Sequence, residues 1–209
     1  MNISYAITSH NEGVSLGKLI DRVLEYTNQE DEIVILDDYS TDQTTVDILK
    51  SVDSVFHRKL DKNFSDQKNH LNSLCKCKYI FQLDGDEIPT NHLMKNLHTF
   101  IKANPKADLF AVPRVNIVKG YTRPQISTNN WNIDKLGRIN YPDYQGRIYL
   151  NKKEIKWTRP VHEIISGHSK LKLIPAGKSL DLLHIKTAEK QENSNLFYNQ
   201  TYTSDFKIK

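Results

Sequence analysis

Cysteine is nearly missing from this 209-residue sequence. Cys75 and Cys77 form a lone C-x-C with no second pair and no neighbouring histidine pair, which excludes a disulfide framework and argues against a zinc site. Glycine and proline number only 8 and 7, too few for a collagenous or low-complexity chain. No apolar run approaches the ~20 residues of a membrane span; Ile33 to Leu36 is typical of what there is. The start, Met1-Asn2-Ile3-Ser4, lacks the charged and apolar regions of a secretion signal, so the cytoplasm is the expected location. No block of five or more Lys and Arg occurs, and neither G-x-x-x-x-G-K-[ST] nor G-x-G-x-x-G is present, which disfavours P-loop and dinucleotide enzymes.

What remains is an ordinary globular composition, 38% hydrophobic and 26% charged, long enough to build one sizeable core. The net charge of +4 is polarised. Residues 1–119 carry 14 basic and 17 acidic side chains, and residues 120–209 carry 15 and 8. An acidic first part points to a cation site, a basic second part to something anionic.

The pattern along the chain is strand, then helix, repeated. Ile3 to Ile7 is β-prone and runs into the polar cluster Thr8-Ser9-His10-Asn11-Glu12-Gly13. Leu16, Leu19, Ile20, Val23 and Leu24 follow at helical spacing, and Ile33 to Leu36 is a second strand ending on Asp37-Asp38. Ser40-Thr41-Asp42 is set to cap a helix through Lys50; a β-like Ser54 to Phe56, a helix near Asp66 to Cys75 and the strand Tyr79 to Leu83 complete the first part. Beyond it the spacing predicts a helix from Asn91 to Lys102, strands at Leu109 to Val118, Arg147 to Leu150, Lys170 to Ile174 and Leu182 to Ile185, and a helix from Thr187 to Tyr202 with a frayed end; Gly120 to Tyr144 reads as a long loop. The fold class is therefore α/β, a mostly parallel sheet flanked by helices with a short C-terminal helical tail. In such sheets ligands bind beyond the carboxyl ends of the strands, which is where the polar clusters after Ile7, Leu36 and Leu83 lie.

The last of these clusters, Asp84-Gly85-Asp86-Glu87, has two carboxylates around a glycine, which lets both turn toward one site. Such oxygen ligands suit Mn²⁺ or Mg²⁺, with substrate phosphate filling the shell. Three segments, Ile3 to Glu12, Ile33 to Thr44 and Phe81 to Glu87, in this order and spacing, resemble glycosyltransferase family 2, the inverting transferases of GT-A fold. Arg147-Ile148-Tyr149, Trp157 and Val161-His162-Glu163 are similar to the subgroup that contains lipopolysaccharide-core glucosyltransferases, and His184-Ile185-Lys186 with Gln191 and Asn195 to small transferases encoded by tailed phages.

The resemblance implies a donor, an activated nucleotide-sugar with UDP favoured, and roles for particular residues. Thr8, Ser9 and Glu12 would line the nucleotide pocket, with Asp38 on the base, Lys68 near the base or diphosphate, and Asp84 on the ribose. Asp86 would bind the metal, with His184 as its later ligand, while Arg147, Arg159 and Lys186 would clamp the diphosphate. Inverting transfer needs one base; Glu163 and Asp143 are both candidates. Trp157, and with it Trp131, would stack on a sugar. Residues 1–119 would then hold the nucleotide-sugar, 120–186 the acceptor and catalytic groups, and 187–209 a helical tail. The acceptor is a glycan of lipopolysaccharide type or hydroxymethylated phage DNA, and any membrane contact would be peripheral. A non-catalytic nucleotide-sugar-binding module and a nucleotidyltransferase are the competing readings. The family's usual glycine after the paired aspartates is Tyr39 here.

Overall fold

Side-chain alternation decides which layer each central strand feeds. On β1 (Ile3–Ser9), Ile3, Tyr5 and Ile7 enter one core layer and Ala6 the other, as the two-residue period of a strand requires. The computed structural model describes residues 1–202; the tail end expected to fray lies outside the described residues. After β1 come α1 (Val14–Leu24), β2 (Glu32–Asp37), α2 (Gln43–Leu49), β3 (Val55–His57), α3 (Phe64–Leu74), β4 (Tyr79–Asp84), β5 (Glu87–Pro89), α4 (Asn91–Ala103) and β6 (Leu109–Lys119). The chain continues through α5 (Arg123–Thr128), β7 (Ile139–Leu150), β8 (Lys156–Thr158), β9 (Ile164–Ser166), β10 (Leu171–Leu173), β11 (Leu182–Thr187) and α6 (Ala188–Thr201).

Helices form where apolar residues recur every three to four positions and a side chain caps the first turn. Leu16, Leu19, Ile20 and Val23 are the buried stripe of α1, and Leu93, Met94, Leu97 and Ile101 that of α4; both cover the face fed by Tyr79, Phe81 and Leu83 of β4. Leu71 of α3 and the β8–β9 hairpin, through Trp157 and Ile165, cover the opposite face over Ala6, Val34, Leu36 and Ile80. Asp42, Asn63 and Thr90 each accept a hydrogen bond from the amide three residues on, at the starts of α2, α3 and α4.

The main sheet runs β3-β2-β1-β4-β7-β6-β11-β5, with β10 also on β6. β1, β2, β3 and β4 are parallel, as is β6 with β10 and β11. The sheet is mostly parallel, as expected; the exceptions are β7, antiparallel between β4 and β6, and β5, antiparallel to β11. The stretch read as a long loop also contains α5 and the first half of β7. Asn140, Pro142 and Asp143 hide that strand from a hydropathy pattern, and its register on β6 shifts twice.

Asp108, at the entry to β6, pins the loop before β10: its carboxylate accepts from the Ser169 amide (2.8 Å) and hydroxyl (2.6 Å) and from the Lys170 amide (2.7 Å). Burial works to raise this carboxyl, but those hydrogen bonds dominate and hold it down to about 2. A carboxyl depressed on folding stabilises at pH values above its unfolded range and loses that contribution as pH falls from about 4 to 2. We expect Asp108→Asn to cost about 1 kcal/mol at pH 7, after screening by nearby solvent, and progressively less toward pH 2. Urea titrations of both proteins across that range check this; a difference independent of pH would contradict it.

Candidate active site

The carboxyl ends of β1, β2 and β4 meet at one edge, with Thr8 in register with Asp84 and Ser9 with Asp37. A pocket of about 470 Å³ opens there. The segment after β1 (Thr8, Ser9, His10, Glu12) forms part of its wall, together with Asp38, Lys68, Asp84, Gly85 and Asp86, then Arg114 and Asn116 of β6, Glu163, His184 and Lys186 of β11, and Gln191, Ser194 and Tyr198 of α6. The Ser9 hydroxyl is buried on this wall without a hydrogen-bond partner among the described residues, an unmet polar group of the kind a ligand satisfies.

Gly85 is needed for space rather than for unusual dihedrals. A Cβ there would lie 2.8 Å from Cγ of Glu12 and 3.1 Å from the Thr8 carbonyl oxygen, while Gly85 is not among the residues with positive φ. The two flanking carboxylates have different surroundings. Asp84 accepts from the Thr8 hydroxyl (3.1 Å) and Arg147 (2.6 Å), with the Lys68 ammonium at 3.2 Å. Burial pushes its carboxyl up, but Arg147 and then Lys68 more than offset this and hold it well below the usual carboxylate range.

Asp86 Oδ2 faces Lys190 at 3.3 Å, Lys186 at 3.4 Å and His184 Nε2 at 3.5 Å. Burial again opposes ionisation, and His184 with the two lysines overcomes it, leaving Asp86 strongly depressed. Lys190 also binds Glu12 at 2.7 Å. Burial first, then the Asp86 charge, push the Glu12 carboxyl up, and Lys190 offsets part of this.

On β11 the register sets His184 beside Asn116 of β6, and His184 Nδ1 lies 2.7 Å from Asn116 Oδ1. The protonated ring donates to the Asp86 carboxylate through Nε2, whereas the neutral ring with its proton on Nδ1 leaves the Nε2 lone pair toward it. Among the described residues no three His, Cys, Asp or Glu side chains cluster to hold a metal. One carboxylate and one imidazole nevertheless fit an ion whose remaining ligands are water and substrate phosphate. Across the site, Glu163 Oε1 takes a 2.6 Å hydrogen bond from Lys68, whose ammonium lies 4.6 Å from the centre of the Trp157 ring.

Residues 4–169 match the family model described as Glycosyl transferase family 2. The chain belongs to glycosyltransferase family 2. An uncharacterized glycosyltransferase of Rickettsia bellii (strain RML369-C) is 27% identical over 127 residues, 59% of this chain and 42% of that protein. Among solved structures, S. aureus TarS 1–349 in complex with UDP-GlcNAc is similar with a TM-score of 0.60 and 15% identity, over 89% of this chain and 59% of that one. S. aureus TarS itself gives a TM-score of 0.60 at 14% identity, over all of this chain and 41% of its own. The chain thus spans about two fifths of its Rickettsia relative and three fifths of TarS 1–349. At these identities the TarS likeness speaks for the fold, which is the GT-A arrangement.

Within this family 2 domain, Thr8, Ser9, Glu12, Asp38, Lys68, Asp84, Asp86, Glu163, His184 and Lys186 all meet at the pocket. Four expected site residues do not reach it, and the reasons are physical. Arg147 is 3% exposed and spends Nη2 on Asp84 and Glu87, both at 2.6 Å, so it braces carboxylates rather than clamping a diphosphate. Trp157 is 5% exposed, with its N–H on the Tyr149 hydroxyl at 2.9 Å. Arg159 lies exposed in the β8–β9 connection at φ 74°. Asp143 lies off the pocket wall, accepting from Arg114, Asn116 and Gln145. Two placed residues are also more occupied than expected: the Lys68 ammonium serves Glu163 and Asp84, and Asp38 Oδ1 accepts from the Leu60 amide at 2.8 Å.

Tyr39 adopts φ 49°, the left-handed conformation that glycine takes most easily. The turn closes because buried Asp37 accepts from the Ser40 amide and hydroxyl, and the Tyr39 ring, 59% exposed and stacked on His57, stays clear of it. Lys190, Asn116 and Arg114 are site residues that sequence reasoning missed. Lys190 had one available signal, its place in the first turn of the helix that follows Lys186. For Asn116 and Arg114 there was none, since their role depends on the unpredicted first half of β7.

Proposed function

We propose that this domain transfers a sugar from a UDP-sugar to a hydroxyl acceptor with inversion, using Mn²⁺ or Mg²⁺. The observation that supports it most is the meeting, in one pocket, of the Asp86–His184 pair, the Lys186 ammonium group and the carboxylate of Glu163, with the Lys190 ammonium reaching Asp86 from α6. TarS 1–349, similar in fold, has been solved with UDP-GlcNAc, which makes that donor the first to try.

In this reading Ser9, Thr8 and Asp38 receive the nucleoside and Asp84 supports the ribose end, its position fixed by Arg147. Asp86 and His184 hold the metal ion, which when bound supplies positive charge against the leaving diphosphate. Lys186 and Lys190 add two further positive charges to the same side, and Lys190 must exchange its contact with Asp86 for the diphosphate. Glu163 is the base: Lys68 fixes Oε1 and Oε2 takes the acceptor proton. Residues 1–119 supply the nucleotide-sugar side, 120–186 the acceptor and catalytic side, and α6 closes the pocket with Gln191, Ser194 and Tyr198. The favoured acceptor is a glycan hydroxyl. The excess of basic residues after position 120 favours a second acceptor class, hydroxymethylated DNA, whose binding would weaken steeply with salt. No helix among the described residues is long and apolar enough to cross a membrane.

Incubation with UDP-GlcNAc and other UDP-sugars, with and without Mn²⁺, tests this. We expect metal-dependent thermal stabilisation and slow hydrolysis of at least one donor, both removed by Asp86→Ala with the circular dichroism spectrum unchanged. Indifference to every UDP-sugar, or the same response without metal, counts against it.

A further inference from the structure

Asn116 belongs to no motif, yet its two ends are each committed. Its Nδ2 donates to Asp143 Oδ2 at 2.8 Å, and that oxygen also takes Arg114 Nε at 3.0 Å and Nη2 at 2.7 Å. The other oxygen, Oδ1, accepts from Gln145 at 2.7 Å. An ionised Asp143 so surrounded accepts hydrogen bonds and donates none. The amide of Asn116 therefore cannot turn over, and its Oδ1 is left facing His184 Nδ1 at 2.7 Å. An acceptor there demands a proton on Nδ1, and in the neutral ring this leaves Nε2 as a lone pair.

That lone pair looks at another acceptor, Asp86 Oδ2, 3.5 Å away. Two acceptors side by side repel unless a positive charge lies between or beside them. The ammonium groups of Lys186 and Lys190 stand at 3.4 and 3.3 Å from the same oxygen, beyond the usual 2.7–2.9 Å of a charge-assisted hydrogen bond.

We propose that Asn116, locked by Asp143 and Arg114, is a positioning residue that holds His184 in its Nδ1–H tautomer, so that Nε2 and Asp86 together offer lone pairs to one divalent cation. This rests on the metal-dependent reading above and adds to it a chain of residues behind the ligands. It also gives Asp143 a place in the site other than that of base. Outer partners of this kind typically carry a 10- to 100-fold effect on metal affinity.

The test combines two readouts on the full chain. In metal-free protein labelled with ¹⁵N-histidine at pH 8, the ring nitrogen shifts of His184 should show the Nδ1–H tautomer, and Asn116→Ala should turn this into a mixture. In the presence of UDP, Mn²⁺ affinity followed by loss of the free-ion EPR signal should fall 10- to 100-fold in Asn116→Ala. An Nε2–H tautomer in the wild type overturns the proposal without need of any variant. Unchanged tautomer and unchanged Mn²⁺ affinity in Asn116→Ala overturn it while leaving the metal reading intact. A wild-type protein that takes up no Mn²⁺ overturns the metal reading itself.

Discussion

Glu163→Gln is expected to lower the rate of donor turnover by about 10²- to 10⁴-fold, the usual contribution of a positioned base, and to leave affinity for UDP and Mn²⁺ within about twofold. The amide keeps the shape of the side chain and still accepts the Lys68 hydrogen bond seen at 2.6 Å, so the nearby ion pair between Lys68 and Asp84 is retained. What is lost is the second oxygen's ability to take a proton. Single-turnover hydrolysis of the donor, with binding measured separately, keeps the two apart. A variant turning over within tenfold of wild type removes Glu163 from the role of base. Asp143→Asn should behave differently, weakening metal affinity through Asn116 rather than acting on the turnover rate alone.

The second large effect is structural. Arg147→Leu should destabilise the fold by about 3–5 kcal/mol, the range for stranding buried charges. For a chain of this size that lowers the thermal midpoint by roughly 10 °C. Glu87 has no exposed side-chain surface and would keep Arg114 and the Asp84 amide, and Asp84 would keep Lys68 and Thr8. Burial disfavours the charged guanidinium, yet Asp84 and Glu87 together push its ionisation well above the ordinary arginine range. Removing it therefore leaves two carboxylates poorly compensated. If Arg147 were instead a clamp on the donor, the variant would keep its stability and lose donor affinity, and a thermal melt beside a UDP titration distinguishes these outcomes.

The contrast between these two residues shows what a sequence can carry. The helix stripes, the strand ends and the acidic clusters are local patterns, so α1, α4, β1, β2 and β4 and the placement of Asp86 and Asp38 could be read directly. His184 and Lys186 also reached the pocket because β11 is a simple apolar run with a regular register on β6. Three of the four expected residues that lie off the pocket, Arg147, Trp157 and Asp143, lie on β7 or against it. This strand pairs antiparallel with two partners, β4 and β6, that both lie earlier in the chain, and its outward and inward positions follow from pairings that no window of neighbouring residues contains. Trp157 was ambiguous for a different reason: an aromatic ring serves a core and a sugar face equally well, and only the buried Tyr149 beneath it decides. The last helix, α6, has no buried residue, so its sequence held no stripe to say which side it would turn to the pocket.

Gly85 ties several of these parts together. The missing side chain leaves room for the Glu12 carbons, and Glu12 in turn holds Lys190 at the start of α6. A single methyl group added in the acidic motif would press on the Glu12 side chain and, through it, on the contact with Lys190 in the first turn of α6, so the signatures after the first and fourth strands are two halves of one interlocking joint.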